Sequence, residues 1–422
     1  MDKLKKIALE LDLDDKLSEF KNKFVLPKNK IYFDGNSLGL LSRDVITDIN
    51  NALEVEWGNN LISSWNDKWI NLPTLVSGKI AQIINSNEDE IYVGSSTSNN
   101  LYKLLKSLLE ANSGIRNIST DSLNFPSDIY ICDGISKDFK INFNLLKYNS
   151  DLYPDIEDLK KYIISNNGIV VLSHVTYKAS YKYPLKEINK FCRDNNIIVI
   201  WDLSHSIGAV DINIDSDQID YAIGCTYKYL NGGPGSPAFI FVRRNKIKNL
   251  KSPIKGWFSH NKPFDFSNTY IESNSMNKFS NGTPHILSLS TLKASLDITI
   301  QASTKSLEHK SHDLYRFFKT IYEDKLKNLN FDLISPSDND IRGSHISIWH
   351  KEAWRISKCL NTPDKKNKKI IIVDYRPKNI IRIALTPLYT SFTDLYILSL
   401  RIVEIVSEKE YEKKDNSILG VT

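Results

Sequence analysis

The central part of the chain alternates between short apolar runs and stretches in which apolar residues repeat with a helical period. Apolar runs typical of buried strands occur at residues 91–93, 115–120, 169–175, 197–201, 219–225 and 237–242. Helices are predicted at residues 155–164 and 185–193, and another helix face is formed by Leu101, Leu104, Leu105, Leu108 and Leu109. This alternation predicts an α/β fold, in which a mostly parallel sheet is covered by helices on both faces.

Beyond about residue 295 the pattern becomes that of a smaller α+β unit. A long polar-faced helix is predicted over residues 296–322, and a capping box at residues 391–394 opens a final helix that runs to Ile405. The lysine-rich run 363–369 is interpreted as a solvated hairpin connection. The other elements predicted in this part are strands at 345–349, 370–375 and 380–385 and a helix at 352–359.

The same change of pattern predicts two domains. Residues 1–24 form a helical lead-in, and a short strand follows at about residue 31. We expect residues 1–60 and 295–422 to form a small α+β domain, and residues 61–294 to form the large domain.

The composition is that of an ordinary soluble globular protein, with 41% hydrophobic and 25% charged residues among 422. The net charge of +5 is small and the lysines are scattered, so no nucleic-acid partner is expected. No run approaches the roughly 20 apolar residues that span a bilayer, and acidic residues interrupt the N-terminal segment, which makes it a poor signal peptide. Four widely spaced cysteines without a Cys-x-x-Cys motif favour a reducing compartment. These observations predict a cytoplasmic protein without a membrane partner.

Lys228 is the first candidate for chemistry. It lies in the segment YKYLNGGPG (residues 227–235), between two apolar strands and beside a tight reversal of the chain. A lysine held in apolar surroundings at a strand end is suited to act as a neutral amine nucleophile that forms Schiff bases. Taken alone, such a lysine more often extends its charge to solvent, so the neighbouring strand ends decide between the two interpretations.

Three other strand ends meet the remaining requirements of pyridoxal phosphate. Ligands of parallel α/β sheets bind beyond the carboxyl ends of the strands. The GSSTS turn (residues 94–98) opens a helix and offers N–H groups, hydroxyls and a positive helix dipole to a phosphate. Asp202 ends an apolar strand and is suited to pair with a protonated pyridine nitrogen, while Phe125 is placed to stack on the ring. Taken singly, the GSSTS turn is an ordinary helix cap and Phe125 a core phenylalanine, while Asp202 fits a helix cap and a cofactor partner equally well. Only their order together with Lys228 indicates the cofactor.

Six motifs extend this interpretation along the chain. They are GNSLG at residues 35–39, NFPSD at 124–128, WDLSHSIG at 201–208, YKYLNGGPG at 227–235, GWFSH at 256–260 and NGTP at 281–284. In this order they resemble the kynureninase family, from about residue 31 to about residue 400. The Asp…His and Tyr-Lys motifs occur in looser form in other fold-type-I pyridoxal-phosphate enzymes, whereas GNSLG and GW-x-x-H are more particular to kynureninases.

The resemblance implies a large domain of pyridoxal-phosphate fold type I, with a mostly parallel sheet of the seven-stranded type. It also implies a homodimer with shared active sites. The implied reaction is hydrolysis of L-kynurenine, or its 3-hydroxy derivative, to anthranilate or 3-hydroxyanthranilate and L-alanine, in tryptophan degradation or pyridine nucleotide biosynthesis.

The resemblance further implies a role for individual residues. Lys228 binds the cofactor aldehyde, Phe125 stacks on the ring, and Tyr227 lies in the proton path. Arg382 grips the substrate α-carboxylate, for which a bidentate guanidinium is suited; without the resemblance it would be interpreted as a surface-strand arginine. The other implied cofactor-binding residues are the phosphate ligands Thr97, Ser98 and Tyr227 of one subunit, Trp257 and Thr283 of the other, and Asp128, Asp202 and His205 near the ring nitrogen.

Two positions bear on the details of the implied site. Ser259 stands where the family usually has glycine, and its hydroxymethyl group can alter the backbone near Trp257. Thr283 resembles the bacterial pattern, which tends to accompany unsubstituted kynurenine.

Two other functions stay open at this point. A cysteine desulfurase-like lyase would need a reactive cysteine on a mobile loop, but the one candidate, Cys359, lies in a helix-like apolar stretch. A catalytically idle binding subunit is disfavoured by the intact Lys228. His309 and His312 lie on consecutive helix turns but favour a solvated face, so no metal site is expected.

Overall fold

The structure of the chain, a computed structural model, describes residues 2–363, 368–415 and 417. Its α-helices are α1 (Lys3–Leu13), α2 (Arg43–Asn51), α3 (Leu72–Ile84), α4 (Thr97–Ala111), α5 (Pro126–Phe139), α6 (Ile156–Ser165), α7 (Leu185–Asp194), α8 (Arg244–Ile247), α9 (Ile286–Ala302), α10 (Thr304–Ile321), α11 (Ala353–Leu360) and α12 (Phe392–Ser407). Its strands are β1 (Lys30–Tyr32), β2 (Ile91–Val93), β3 (Asn117–Asp121), β4 (Asn142–Leu146), β5 (Ile169–Ser173), β6 (Ile198–Asp202), β7 (Tyr221–Gly224), β8 (Phe239–Val242), β9 (Asp332–Leu333), β10 (His345–Trp349), β11 (Ile370–Ile372), β12 (Asp374–Arg376) and β13 (Ile380–Ala384).

Seven strands form the central sheet, in the order β2-β8-β7-β6-β5-β3-β4. From β7 to β4 the neighbours pair in parallel, whereas β8 runs antiparallel to both β7 and β2. Because β8 alone is reversed, the carboxyl ends of the other strands lie at one edge of the sheet, where ligands of such sheets bind. The prediction of a mostly parallel α/β sheet is therefore confirmed.

Both faces of this sheet are buried, which explains the continuous apolar runs in the sequence. On β5, Val170 belongs to the core formed with α3 and α7, whereas the next residue, Val171, belongs to the core formed with α4 and α5. Successive side chains of a strand point to opposite faces, so adjacent valines serve two cores. Because both faces of the sheet are packed against helices, the carboxyl ends of the strands are fixed in position.

The C-terminal part forms an antiparallel sheet in the order β12-β13-β10-β9, against which α11 and α12 pack. Helix α1 packs against α12, and β1 pairs in parallel with β11. The first residues of the chain therefore join the C-terminal part. The domain boundaries given above stay a prediction.

In the C-terminal half, one helix and one strand that were predicted as continuous elements are each divided in two. The helix predicted over 296–322 is two helices, α9 and α10, separated by Ser303, which has a φ of 60°. The Ser303 hydroxyl accepts a hydrogen bond from the Ser306 backbone N–H at 3.3 Å, so a helix cap interrupts an otherwise continuous helical pattern. The strand predicted at 370–375 is split between β11 and β12, which pair with different partners.

One predicted helix start is confirmed, one strand was not predicted, and part of the lysine-rich run cannot be compared. The capping box at residues 391–394 opens α12 as predicted. Strand β4, at the edge of the large sheet, was not predicted because its sequence, NFNLL, lacks a clear apolar run. Residues 364–367 of the lysine-rich run lie outside the described residues. No helix in the described part of the chain is long and apolar enough to cross a membrane.

Truncation of Trp201 tests the importance of the core behind β6. Its ring is fully buried, and its indole N–H donates a hydrogen bond to Asn189 Oδ1 at 2.7 Å. We expect Trp201→Ala to lower the free energy of unfolding by about 3–5 kcal/mol, measured by urea denaturation followed by circular dichroism. Tyr130→Ala, at an exposed position on α5, should change it by less than about 0.5 kcal/mol. Equal effects of the two variants would contradict this account.

Candidate active site

Lys228 lies just beyond the carboxyl end of β7 and faces two predicted site residues. Its Nζ atom is 3.0 Å from Nε2 of His205 and 5.7 Å from the centre of the Phe125 ring. Burial, followed by the charge of Lys228, lowers the pKa of His205 well below its ordinary value. The imidazole is therefore neutral and can accept a hydrogen bond from the lysine amine.

The GNSLG segment packs directly on the lysine loop. The backbone N–H of Gly39 donates to the carbonyl oxygen of Tyr227 at 2.8 Å, and the N–H of Leu40 donates to Asn231 Oδ1 at 3.1 Å. A Cβ atom at position 39 would overlap the Lys228 carbonyl oxygen and the Asn231 backbone. Glycine is needed here because two backbone segments approach closely.

Asp202 and Asp128 form a buried pair of carboxylates. Asp202 ends β6 and accepts hydrogen bonds at Oδ1 from the backbone N–H and the hydroxyl of Ser204, at 2.9 and 2.5 Å. Asp128 lies in the first turn of α5, and burial followed by the charge of Asp202 raises its pKa well above the ordinary value. Among the described residues, Asp128 Oδ2 is buried without a hydrogen-bond partner. In the described part of the chain, no cationic side chain donates a hydrogen bond to either carboxylate, and the N–H of a protonated pyridine would be such a donor, so these residues fit pyridoxal phosphate.

Phe125 is presented by a turn that Asn124 fixes. Asn124 Oδ1 accepts a hydrogen bond from the Phe125 backbone N–H at 2.7 Å, while its amide donates to Thr120 Oγ1 at 3.0 Å. The Phe125 ring is 40% exposed and contacts Tyr177 edge-on at 5.4 Å. A core phenylalanine would be buried, whereas this ring has a free face beside Lys228.

The predicted phosphate cradle lies at the start of α4. Ser96 is the N-cap, and its hydroxyl accepts a hydrogen bond from the Asn99 N–H at 3.3 Å. The Ser98 hydroxyl lies 2.5 Å from that of Ser127, which joins the first turns of α4 and α5. The first backbone N–H groups of α4 give this corner a positive potential.

Arg382 is buried on β13 and does not lie at a surface. Its guanidinium forms an ion pair with Asp374 and donates to the Tyr177 carbonyl oxygen at 2.7 Å and to Ser37 Oγ at 3.2 Å. Arg376 lies 3.2 Å from the other oxygen of Asp374. Asp374 therefore has two guanidinium partners, and guanidinium groups are suited to bind an anionic group.

Trp257 and Thr283 lie together in a region formed by the loops between α8 and α9. Gly256 packs directly on the Asn281 backbone, and the Phe258 N–H donates to the Asn281 carbonyl oxygen at 3.2 Å. Thr283 lines a cavity of about 530 Å³. Within the part of the chain described by the structure, the Lys228 amine forms no hydrogen bond with Trp257 or Thr283 and does not lie over the Trp257 ring. Gly94 and Ser95 of the predicted phosphate turn line the same cavity as Thr283.

The Ser259 hydroxyl is accommodated in this region. It is fully buried, and Oγ accepts a hydrogen bond from the Gly256 N–H at 3.1 Å and lies 3.0 Å from the Tyr270 hydroxyl. The hydroxyl thus closes the turn that carries Trp257, in place of a glycine.

Residues outside the predicted set also reach the site. The His345 ring is buried 5.7 Å from that of His205, and burial followed by the charge of Arg382 lowers its pKa. Burial followed by the charge of Asp374 raises the pKa of Asp34 to about 6. His345 lies on β10 and Asp34 before the GNSLG segment, and neither has a local pattern that singles it out.

Solved structures of several pyridoxal-phosphate enzymes share this fold. The apo cysteine desulfurase from Thermococcus onnurineus NA1 matches with a TM-score of 0.76 at 16% identity, covering 95% of this chain and 98% of that one. A variant of C-DES with glycine covalently linked to its pyridoxal-phosphate cofactor gives 0.78 at 16% identity, covering 91% and 99%. The fold is therefore that of fold-type-I pyridoxal-phosphate enzymes.

Sequence relatives define the family more closely. Residues 307–401 match the kynureninase C-terminal domain. A kynureninase of Pseudomonas fluorescens is 34% identical over 409 residues, covering 96% of each chain. A kynureninase of Burkholderia mallei strain SAVP1 is 32% identical over 399 residues, covering 93% of each. The chain belongs to the kynureninase family, whose cofactor is pyridoxal phosphate.

Substitution of Gly39 tests the contact between the GNSLG segment and the lysine loop. We expect Gly39→Ala to displace Lys228 and to lower kcat at least about tenfold, because misplaced catalytic groups lose rate steeply. Steady-state assays with L-kynurenine measure the effect. Gly134→Ala is the matched control, since a Cβ atom there meets open space on α5. Unchanged kcat in folded Gly39→Ala protein would refute the expectation.

Proposed function

We propose that this protein is a kynureninase that hydrolyses the Cβ–Cγ bond of L-kynurenine or 3-hydroxykynurenine. The products are anthranilate or 3-hydroxyanthranilate, and L-alanine. The proposal rests on one observation above others: Lys228, the Asp128–Asp202 pair and Phe125 converge at the carboxyl edge of the sheet, and Tyr177 connects Phe125 with Arg382. Membership of the kynureninase family supports the choice of substrate.

The residues of the site fit the separate parts of the cofactor. Thr97, Ser98 and Tyr227 would hold the phosphate, and Phe125 would stack on the ring. Asp128 and Asp202 would keep the ring nitrogen protonated, with His205 nearby. When bound, pyridoxal phosphate stabilises the negative charge that develops as bonds to the substrate amino-acid carbons break.

Substrate binding and proton transfer are assigned to individual side chains of the site. Arg382 binds the substrate α-carboxylate and so orients the α-proton toward Lys228. The Lys228 amine takes that proton and later returns one, and the neutral imidazole of His205 lies 3.0 Å from it as a hydrogen-bond acceptor. Burial raises the pKa of Tyr227, so its hydroxyl stays protonated at neutral pH and is suited to deliver a proton to the product carbon.

We infer that two copies of the chain form a dimer in which Trp257 and Thr283 reach the partner's phosphate site. An apolar groove of about 410 Å³ borders this segment, since Pro284 is one of its lining residues. Trp57 and Ile62, also in the groove, are 56% and 77% exposed. Exposed apolar groups of this size and continuity mark interaction surfaces.

The proposed compartment is the cytoplasm. All four cysteines are buried and free, which suits a reducing environment.

A cysteine desulfurase-like reaction has less support. Cys359, the nucleophile that it would require, is buried within α11, and burial raises the pKa of its thiol. A buried, protonated thiol is a poor nucleophile. The likeness to cysteine desulfurases at 16% identity therefore concerns the fold alone.

Removal of the Lys228 amine tests the function directly. Purified protein with pyridoxal phosphate should release anthranilate from L-kynurenine, detected by its fluorescence. We expect Lys228→Ala to lose the visible absorbance of lysine-bound cofactor and to lower kcat by at least about 10⁴-fold, because one residue serves as both nucleophile and base. Lys137→Ala, an exposed lysine on α5, should retain both. Wild-type protein that binds cofactor without releasing anthranilate, or 3-hydroxyanthranilate from the 3-hydroxy substrate, would refute the proposal.

A charge in the apolar groove tests the dimer. We expect Ile62→Glu to shift the protein from dimer to monomer in analytical ultracentrifugation and to weaken cofactor binding, because a buried unpaired carboxylate opposes association. Ile164→Glu on α6, at an exposed position outside the groove, should leave both unchanged. Wild-type protein that sediments as a monomer would exclude the shared site.

A further inference from the structure

A buried lysine lies directly behind the proposed phosphate cradle. Lys103, on α4, is 1% exposed, and its ammonium donates hydrogen bonds to Ser95 Oγ at 2.9 Å and to the Phe279 carbonyl oxygen at 2.8 Å. The Tyr92 hydroxyl lies 3.4 Å from it, and the centre of the Tyr92 ring 5.0 Å. Among the described residues, none of its partners is a carboxylate. A buried ammonium is costly unless a negative charge lies near, so an anion from outside the chain would compensate it.

The partners of Lys103 hold the loop between β2 and α4. Ser95 has a φ of 58°, in the left-handed region that serine rarely adopts. Its carbonyl oxygen accepts a hydrogen bond from the Ala238 N–H at 2.9 Å, and its hydroxyl accepts the bond from Lys103. Ser95 thus directly precedes the helix cap Ser96 in a conformation that the ammonium stabilises.

The charge balance of the cradle also calls for a cation. A helix N-terminus supplies roughly half a positive charge. A phosphate monoester carries about −1.5 to −2 at pH 7. The helix alone leaves most of that negative charge uncompensated, and the Lys103 ammonium, separated from the cradle by Ser95, supplies a full positive charge.

We propose that Lys103 is a positioning residue for the cofactor phosphate, which holds the 94–98 loop in place and supplies charge from behind it. The inference rests on the proposed function, in which Thr97 and Ser98 bind that phosphate. Lys103 acts through Ser95 and does not touch the cofactor. Through Phe279 it also anchors the segment that leads to Thr283.

The titration behaviour of Lys103 agrees with this assignment. Burial lowers the pKa of its ammonium to about 8. Burial also raises the pKa of Tyr92, the titratable group that faces it, so Tyr92 stays neutral. At pH 7 the ammonium is charged and available to the phosphate, whereas it loses its proton as the pH rises above 8.

A comparison of two cofactor forms tests the inference. Wild-type protein, Lys103→Gln and the control Lys106→Gln, freed of cofactor, are titrated with pyridoxal phosphate and with pyridoxal, which lacks the phosphate. The glutamine amide keeps donors but removes the charge. We expect Lys103→Gln to bind pyridoxal phosphate about 10- to 100-fold more weakly, because the phosphate loses the Coulomb attraction of a nearby buried charge, and pyridoxal within twofold of wild type. Lys106→Gln, on the same helix, should change neither.

Each outcome is decisive. Unchanged affinity of Lys103→Gln for pyridoxal phosphate, or an equal loss for both ligands, overturns the inference, since a merely structural residue would affect both. If Lys103→Gln does not fold, the ratio of the two affinities is measured on wild-type protein at pH 7 and pH 9. The ratio should fall at pH 9, and a constant ratio overturns the inference. Wild-type protein that binds no pyridoxal phosphate refutes the proposed function itself.

Discussion

The arrangement of the site depends on the compensation of buried charges at the carboxyl edge of the central sheet. Coulomb interactions are strong where water is excluded, so the position of each ionised group constrains the others. Asp128 and Asp202 raise the energy of one another's charged forms, and the arrangement is stable only if a proton or a cation lies between them. The neutral ring of His205, in contrast, can lie beside Lys228 without repulsion.

Much of this edge could be predicted from the sequence, because parallel pairing brings the ends of successive strands together. Phe125, Asp202 and Lys228 each follow an apolar run, and that pattern is local. The contact of Gly39 with the lysine loop was not predictable in the same way, since it joins segments far apart in the chain. The break at Ser303 was missed because a serine cap leaves the apolar period on both sides intact.

Arg382 illustrates a different limit of sequence reasoning. Its strand alone suggested a surface position, and only the family resemblance gave it a role. Its burial depends on Asp374 of the neighbouring strand β12, with which it shares an ion pair. The likeness to cysteine desulfurases shows the same limit for the whole chain. This protein shares its fold with them, but particular side chains determine the chemistry.

The three attachments of Arg382 have a thermodynamic consequence. Ser37 comes from the N-terminal segment, Tyr177 from a turn that follows β5, and Asp374 from the C-terminal sheet, and together they fix the guanidinium before any ligand arrives. An arginine on a surface loses rotamer freedom when it binds an anion, at a cost of about 0.5–1.5 kcal/mol. Here that entropy is lost during folding, so more of the interaction with a carboxylate remains as affinity and orientation.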